Sequence, residues 1–192
     1  MLQINNEEYD IVRSFYRTCG ASDQKYFSVD DVNNNNIPNI FHGRVFHIVK
    51  DRGNNTYFVK EYLENKHIGF LEYNMCKFFE SSSITMKAYD YDDGKILCEH
   101  CDGVKFTSNL KLSRLQFVVV LNELIRFIEL LIKYDMNKFF EVNYNNIIIN
   151  EEAKSIKIVD LETDESRYHE FARKNNKILG NLLKVRRDFI NK

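Results

Sequence analysis

The stretch FFEVNYNNIIINEEAKSIKIVDLETDES, Phe139 to Ser166, decides how this chain is read. Two β-branched runs, Ile147–Ile149 and Ile156–Val159, are joined by a polar turn, which is the pattern of a hairpin. Polar side chains stand just outside it, Glu141 and Asn146 before the first run and Asp160 after the second. A hairpin that brings an amide and a carboxylate to one end has oxygen ligands for a hard cation and its phosphate. The same residues also serve ordinary turns.

Working outward, the segment before the hairpin reads as one long helix from Ser113, in which Asn122, Arg126, Glu129 and Lys133 recur at intervals of four, three and four. Every other face is apolar, so this helix is expected to be mostly buried. After the hairpin, Phe171, Ile178, Leu179, Leu182, Leu183, Phe189 and Ile190 predict one or two closing amphipathic helices. Toward the N-terminus, GRVFHIV and TYFVKEY flank the turn KDRGNN and predict a hairpin. NKHIGFLEYNMCKFF follows, with Ile68, Leu71, Met75 and Phe78 at helical spacing, and then SITMKAYDY and KILCEHC around Asp92-Asp93-Gly94. The expected order is β-β-α-β-β, and Asn33–Asn36 reads as a loop before the first strand.

With 192 residues, 44% hydrophobic and 14% aromatic, the chain can bury a sizeable core. Its 27 basic and 28 acidic residues leave a net charge of -1, so no overall field favours nucleic acid or an acidic membrane surface. The opening MLQINNEEYD lacks the charged-then-apolar order of a secretory signal, and the longest apolar region is broken by Asn122, Glu123, Arg126 and Glu129. A soluble, intracellular protein is expected. Cys19, Cys76, Cys98 and Cys101 do not suggest a disulfide framework in a chain this long. CEHC has zinc-ligand spacing but lacks a second pair to complete a tetrahedral site.

A hairpin carrying GRV, a lysine at the end of the next strand, a glutamate on the following helix, and a buried helix feeding an Asn-then-Asp hairpin together resemble the protein-kinase-like family. The resemblance spans Phe41 to Ser166. Gly43-Arg44-Val45 resembles the last glycine of the phosphate loop and the valine that covers adenine. YFVK resembles VAIK, which makes Lys60 the phosphate lysine, fifteen residues after Val45. Glu72 on LEYNMCKFF is then its ion-pair partner, read as a partly exposed pair. ILCEHCDG looks like the hinge strand and linker, with Cys98 as gatekeeper and Glu99 C=O and Cys101 N–H meeting the adenine edge. Glu141 and Asn146 keep the five-residue interval of HRDxxxxN, and Asp160 falls where the metal Asp of DFG belongs, so the resemblance gives Asn146 and Asp160 to Mg²⁺.

The resemblance implies an α+β, two-lobed kinase-like fold, with a small antiparallel-sheet N-lobe and hinge over 1–102 and a truncated, mainly helical C-lobe over 103–192. It implies ATP and Mg²⁺ as cofactors, with transfer of phosphate to a protein hydroxyl. The departures qualify this. Phe139-Phe140-Glu141 replaces HRD, removing the bracing His and the Arg that answers activation-loop phosphorylation. Glu141 is one methylene longer than the expected base, Asn143 replaces the loop lysine, and Asp160-Leu161-Glu162 replaces DFG. No APE-like segment or proline follows Glu162. A pseudokinase acting as a protein-interaction module is the alternative expectation, with a protein substrate or regulatory protein as partner. A small-molecule kinase is the third, since DLE is similar to that group's DFE, although its large acceptor-binding insertions are missing.

Overall fold

A computed structural model of the chain describes residues 1–18, 40–106, 110–150, 155–161 and 167–190. It is a mixed α+β structure whose elements run β1 Leu2–Ile4, β2 Glu7–Thr18, β3 Ile40–Lys50, β4 Thr56–Tyr62, α1 Lys66–Phe78, β5 Ala88–Asp92, β6 Lys95–Glu99, β7 Val104–Lys105, α2 Arg114–Lys133, β8 Ile147–Ile149, β9 Ile156–Ile158 and α3 Tyr168–Ile190. The residues divide into two compact units, Met1–Glu80 with Lys87–His100, and Ser81–Met86 with Cys101–Lys192.

The first unit is built on an antiparallel six-stranded sheet in the order β1-β2-β3-β4-β6-β5. Two more strands precede the expected β-β-α-β-β. Their turn, Asn5-Asn6, has both residues at positive φ, the conformation whose twist suits a two-residue hairpin. Asp93 and Gly94 form the same kind of turn between β5 and β6. Gly94 is also needed for space, since a Cβ there would lie 2.7 Å from the Tyr62 carbonyl oxygen. The β3–β4 turn is held by Asp51, whose carboxylate accepts from the Asn55 backbone N–H and side-chain amide, each at 2.8 Å.

The sheet curls until its ends meet. Asn5 N–H donates to Asp92 Oδ2 at 3.1 Å, and its side-chain amide to the Tyr91 carbonyl at 3.3 Å. The concave face encloses Ile4, Tyr9, Val49, Val59 and Leu97, and the other face is packed by α1. The most buried line of α1 is Gly69, Glu72 and Cys76, continued by Phe79, rather than Ile68, Leu71, Met75 and Phe78. Phe78 is exposed. The helix turns this line inward because Gly69 lies flat against the Tyr62 ring and Glu72 finds partners on β4.

In the second unit, Ser113 caps α2 through a reciprocal box with Gln116. Its buried residues, Val120, Leu121, Leu124, Ile125, Phe127, Ile128 and Leu131, lie between the polar positions seen in the sequence. The β8–β9 hairpin pairs Ile147 with Ile158 and Ile149 with Ile156, and β7 adds to its edge. SITMKAYDY is not one strand: β5 begins at Ala88, while Ile84 O and Met86 N bond to Ile158 N and O of β9. The closing segment is a single helix. Phe171 and Asn175 are buried in it, and Ile190 at its end is 73% exposed. Asn33–Asn36 and Glu162 lie outside the described residues. No helix among the described residues is long and apolar enough to cross a membrane.

Candidate functional site

In the first unit, alternation along β4 puts Lys60 and Tyr62 on the face packed by α1. Lys60 Nζ donates to Glu72 Oε1 at 2.5 Å, and the Tyr62 hydroxyl donates to Glu72 Oε2. The Lys60 and Glu72 side chains are 3% and 1% exposed, so the pair is buried rather than partly exposed as its sequence suggests. Burying two charges is offset only by close geometry and further hydrogen bonds, and Tyr62 supplies one. Gly69 allows the approach, since a Cβ there would lie 2.7 Å from Tyr62 Cδ2.

The β3–β4 register places Phe46 directly opposite Lys60 and Val45 opposite Glu61. Residues directly opposite share a face, so Val45 lies on the face away from Lys60. Sequence spacing pairs Val45 with Lys60, and the register separates them. Phe15, Phe46 and Phe58 occupy the Lys60 face instead, with Phe46 stacked on Phe15 at 5.5 Å and on Phe58 at 5.8 Å between centroids. In YFVK, Phe58 stands where VAIK has alanine. Gly43 lies in β3. Cys98 is fully buried opposite Phe58 on β6. Glu99 ends β6, where its N–H donates to the Lys87 carbonyl and its carboxylate accepts from Lys87 N–H. Cys101 is half-buried and opens the second unit's longer segment.

On the concave face, Ser14 Oγ lies 2.6 Å from His47 Nδ1, and His47 Nε2 lies 3.0 Å from Glu61 Oε2. The Glu61 carboxylate only accepts, so Nε2 carries the proton in that bond. The hydrogen bond from His47 holds the Glu61 carboxyl below its usual range.

In the second unit, Asn146 closes a short 3-10 turn, Tyr144–Asn146, immediately before β8. Val159 N–H donates to the Asn146 carbonyl at 2.9 Å, so Asn146 and Asp160 stand at the same end of the hairpin, both half-buried. Glu141 is drawn to α3 instead. Its carboxylate accepts from Lys174 Nζ at 3.0 Å and lies 3.4 Å from Arg167 Nη2. Glu170 shares both cations, and its hydrogen bonds with Arg167 and then Lys174 bring its carboxyl down to about 2.

Asn175 was not singled out by sequence reasoning. Fully buried, it accepts from Val142 N–H at 3.0 Å and donates to the carbonyls of Asn137 and Phe140 at 2.8 and 2.5 Å. One amide thus fixes the loop that carries Glu141. The signal was present: Asn175 sits four residues from both Phe171 and Leu179 on the apolar stripe of α3, where a polar residue needs partners. Tyr62 and the Ser14–His47–Glu61 chain left no such mark, because register alone brings them together.

Among the described residues, no group of three or more His, Cys, Asp or Glu side chains is arranged to hold a metal ion. Two oxygen donors suit an ion that keeps most of its waters and takes phosphate oxygens as ligands. Compared with known proteins, the sequence matches no family model and no curated protein.

Proposed function

We propose that this chain is a divergent protein-kinase-like protein that binds Mg·ATP. Lys60, oriented by Glu72, takes the phosphates, and Asn146 and Asp160 take the metal ion. The buried Lys60–Glu72 pair carries the reading, because apolar residues would fill this position at no greater cost, so a role for the lysine accounts for a charge buried there. The order of strands around α1 and the shared hairpin end of Asn146 and Asp160 support it.

Phosphate transfer to a protein hydroxyl is the activity this reading gives first. Lys60 offsets charge developing on the phosphates, and Glu141 orients the acceptor hydroxyl. The engagement of Glu141 by Lys174 and Arg167 favours the second reading, a nucleotide-binding pseudokinase that acts through protein contacts. Lys174 and Arg167 already occupy the carboxylate oxygens that an acceptor hydroxyl would need.

Thermal unfolding with and without Mg·ATP tests both. Binding raises Tm by an amount set by ligand concentration over Kd, and Asp160→Ala removes the metal-dependent part. No shift at millimolar Mg·ATP in a folded sample overturns nucleotide binding. A shift without transfer, in the wild type and in Glu141→Asp alike, selects the pseudokinase.

A further inference from the structure

The C-terminal half of α3 has a groove of about 540 Å³ along one flank, whose lining includes Gly180, Leu183, Lys184, Arg186, Arg187 and Ile190. Gly180, Leu183, Arg187 and Ile190 recur at helical spacing, so they form one continuous strip. Leu183 and Ile190 give it an apolar floor, with Ile190 73% exposed. Arg187 interrupts that floor on the strip itself, and Lys184 and Arg186 flank it, so the groove is basic. Arg187 has Asp188 at 3.9 Å, and no carboxylate among the described residues pairs with Lys184 or Arg186. This concentration of positive charge lies in a chain whose net charge is -1.

Gly180 is the telling residue. A glycine inside a helix is less favourable than alanine. Its usual reason is a neighbour too close for a side chain, as Tyr62 is for Gly69. At Gly180 a Cβ would meet no described atom within 4 Å. The described part of the fold gives this glycine no task, and the space it leaves lies in the groove.

We propose that this flank of α3 is the docking site for an acidic amphipathic helix of a partner protein. An apolar side chain of that helix enters the notch at Gly180 beside Leu183, a second packs on Ile190 further along the strip, and carboxylates of the same helix meet Lys184, Arg186 and Arg187. A concave notch favours a protein knob over a lipid surface, which binds protruding apolar faces. The groove lies on α3 and uses none of the residues assigned to nucleotide, so the two readings stand or fall separately.

The probe is a labelled, lactam-stapled helical peptide with leucines along one face and glutamates along the other, followed by fluorescence anisotropy on the full chain. Binding is expected with Kd on the order of micromolar. A counterpart with lysine in place of glutamate should bind roughly tenfold more weakly or worse. Gly180→Leu fills the notch and should weaken binding roughly tenfold, with Tm unchanged or higher. Lys184→Glu with Arg186→Glu should reverse the preference between the two peptides. Equal binding of both peptides, or of wild type and Gly180→Leu, overturns the proposal, as does failure to bind at millimolar peptide. A fall in Tm for Gly180→Leu would show that the chain itself fills the notch. Retention on phosphatidylserine vesicles that persists in Gly180→Leu would make the flank a lipid surface, and self-association lost in Gly180→Leu would make the occupant a second copy.

Discussion

Val45 and Lys60 stand on opposite faces of one sheet, because Lys60 pairs across the hairpin with Phe46 and Val45 pairs with Glu61. The surface beside Lys60 is therefore aromatic, made by Phe15, Phe46 and Phe58. If a nucleotide base lies on that face, the Phe58 ring takes room it needs. Phe58→Ala should cost about 2 kcal/mol of stability, less than for a fully buried phenylalanine, and should enlarge the Mg·ATP-induced rise in Tm. A smaller rise in a folded sample would mean that the ring supports the base rather than obstructing it.

Loss of one partner from the Lys60–Glu72 pair leaves a charge buried and uncompensated. Lys60→Ala and Glu72→Ala should each destabilise the protein by about 3–5 kcal/mol, far more than an exposed pair would. Urea unfolding measures this. A loss under about 1 kcal/mol would mean that the two residues are solvated in solution.

Gly69 sets the distance between α1 and β4. A methyl group in contact with the Tyr62 ring has to push the helix away, so Gly69→Ala should cost about 1–3 kcal/mol despite alanine's better helix propensity. The same change should reduce the Mg·ATP shift, because it moves Glu72 relative to Lys60. Unchanged or raised stability would contradict the packing described for this helix.

Asn175 holds two carbonyls and one N–H of the 137–142 loop. Asn175→Leu keeps the volume and orphans all three, at a cost of about 1–3 kcal/mol for each group that water cannot reach. Asn175→Asp should also destabilise, because a carboxylate would face two carbonyl oxygens. Amide hydrogen exchange at Val142 should quicken in both variants, and protection like that of the wild type would remove Asn175 from this role.

Glu61 gives the protein an acid-sensitive contribution. Its carboxyl is held below the ordinary 4.5 by the hydrogen bond from His47. The folded form therefore binds a proton less readily than the unfolded form, and the stabilisation is complete above 4.5 and lost as pH falls through the lowered value. Glu61→Gln should flatten that part of the stability curve. Identical acid limbs in urea titrations of the two proteins would show that the His47 bond does not persist in solution.

Local patterns were legible in the sequence wherever one face had to be buried. The β-branched runs at Ile147 and Ile156, the Asp93-Gly94 turn and the polar row along the helix starting at Ser113 each marked an element close to its observed bounds. Strand β2 was harder to see, because Glu7, Glu8, Asp10 and Arg13 interrupt its alternation and a bulge between Ile11 and Arg13 shifts its phase. The site was legible only in part. Asn146 and Asp160 share a hairpin end, as their spacing suggests, whereas a fifteen-residue interval across a turn does not determine the face of Val45. The closure of the turn on Lys50 and Thr56 decides that.

The bonds from Asn5 to Asp92 and Tyr91 also bear on how the first unit meets other chains. An open sheet of six strands has two borders of unpaired peptide groups, and such borders recruit stray strands into aggregates. Here β1 and β5, the two outermost strands, are turned toward each other and partly bonded across the seam. The border is partly hidden, and Asp90 and Asp92 add charge along the β5 edge. Opening that seam, for example by deleting residues 1–6, should expose both borders and promote self-association through the sheet.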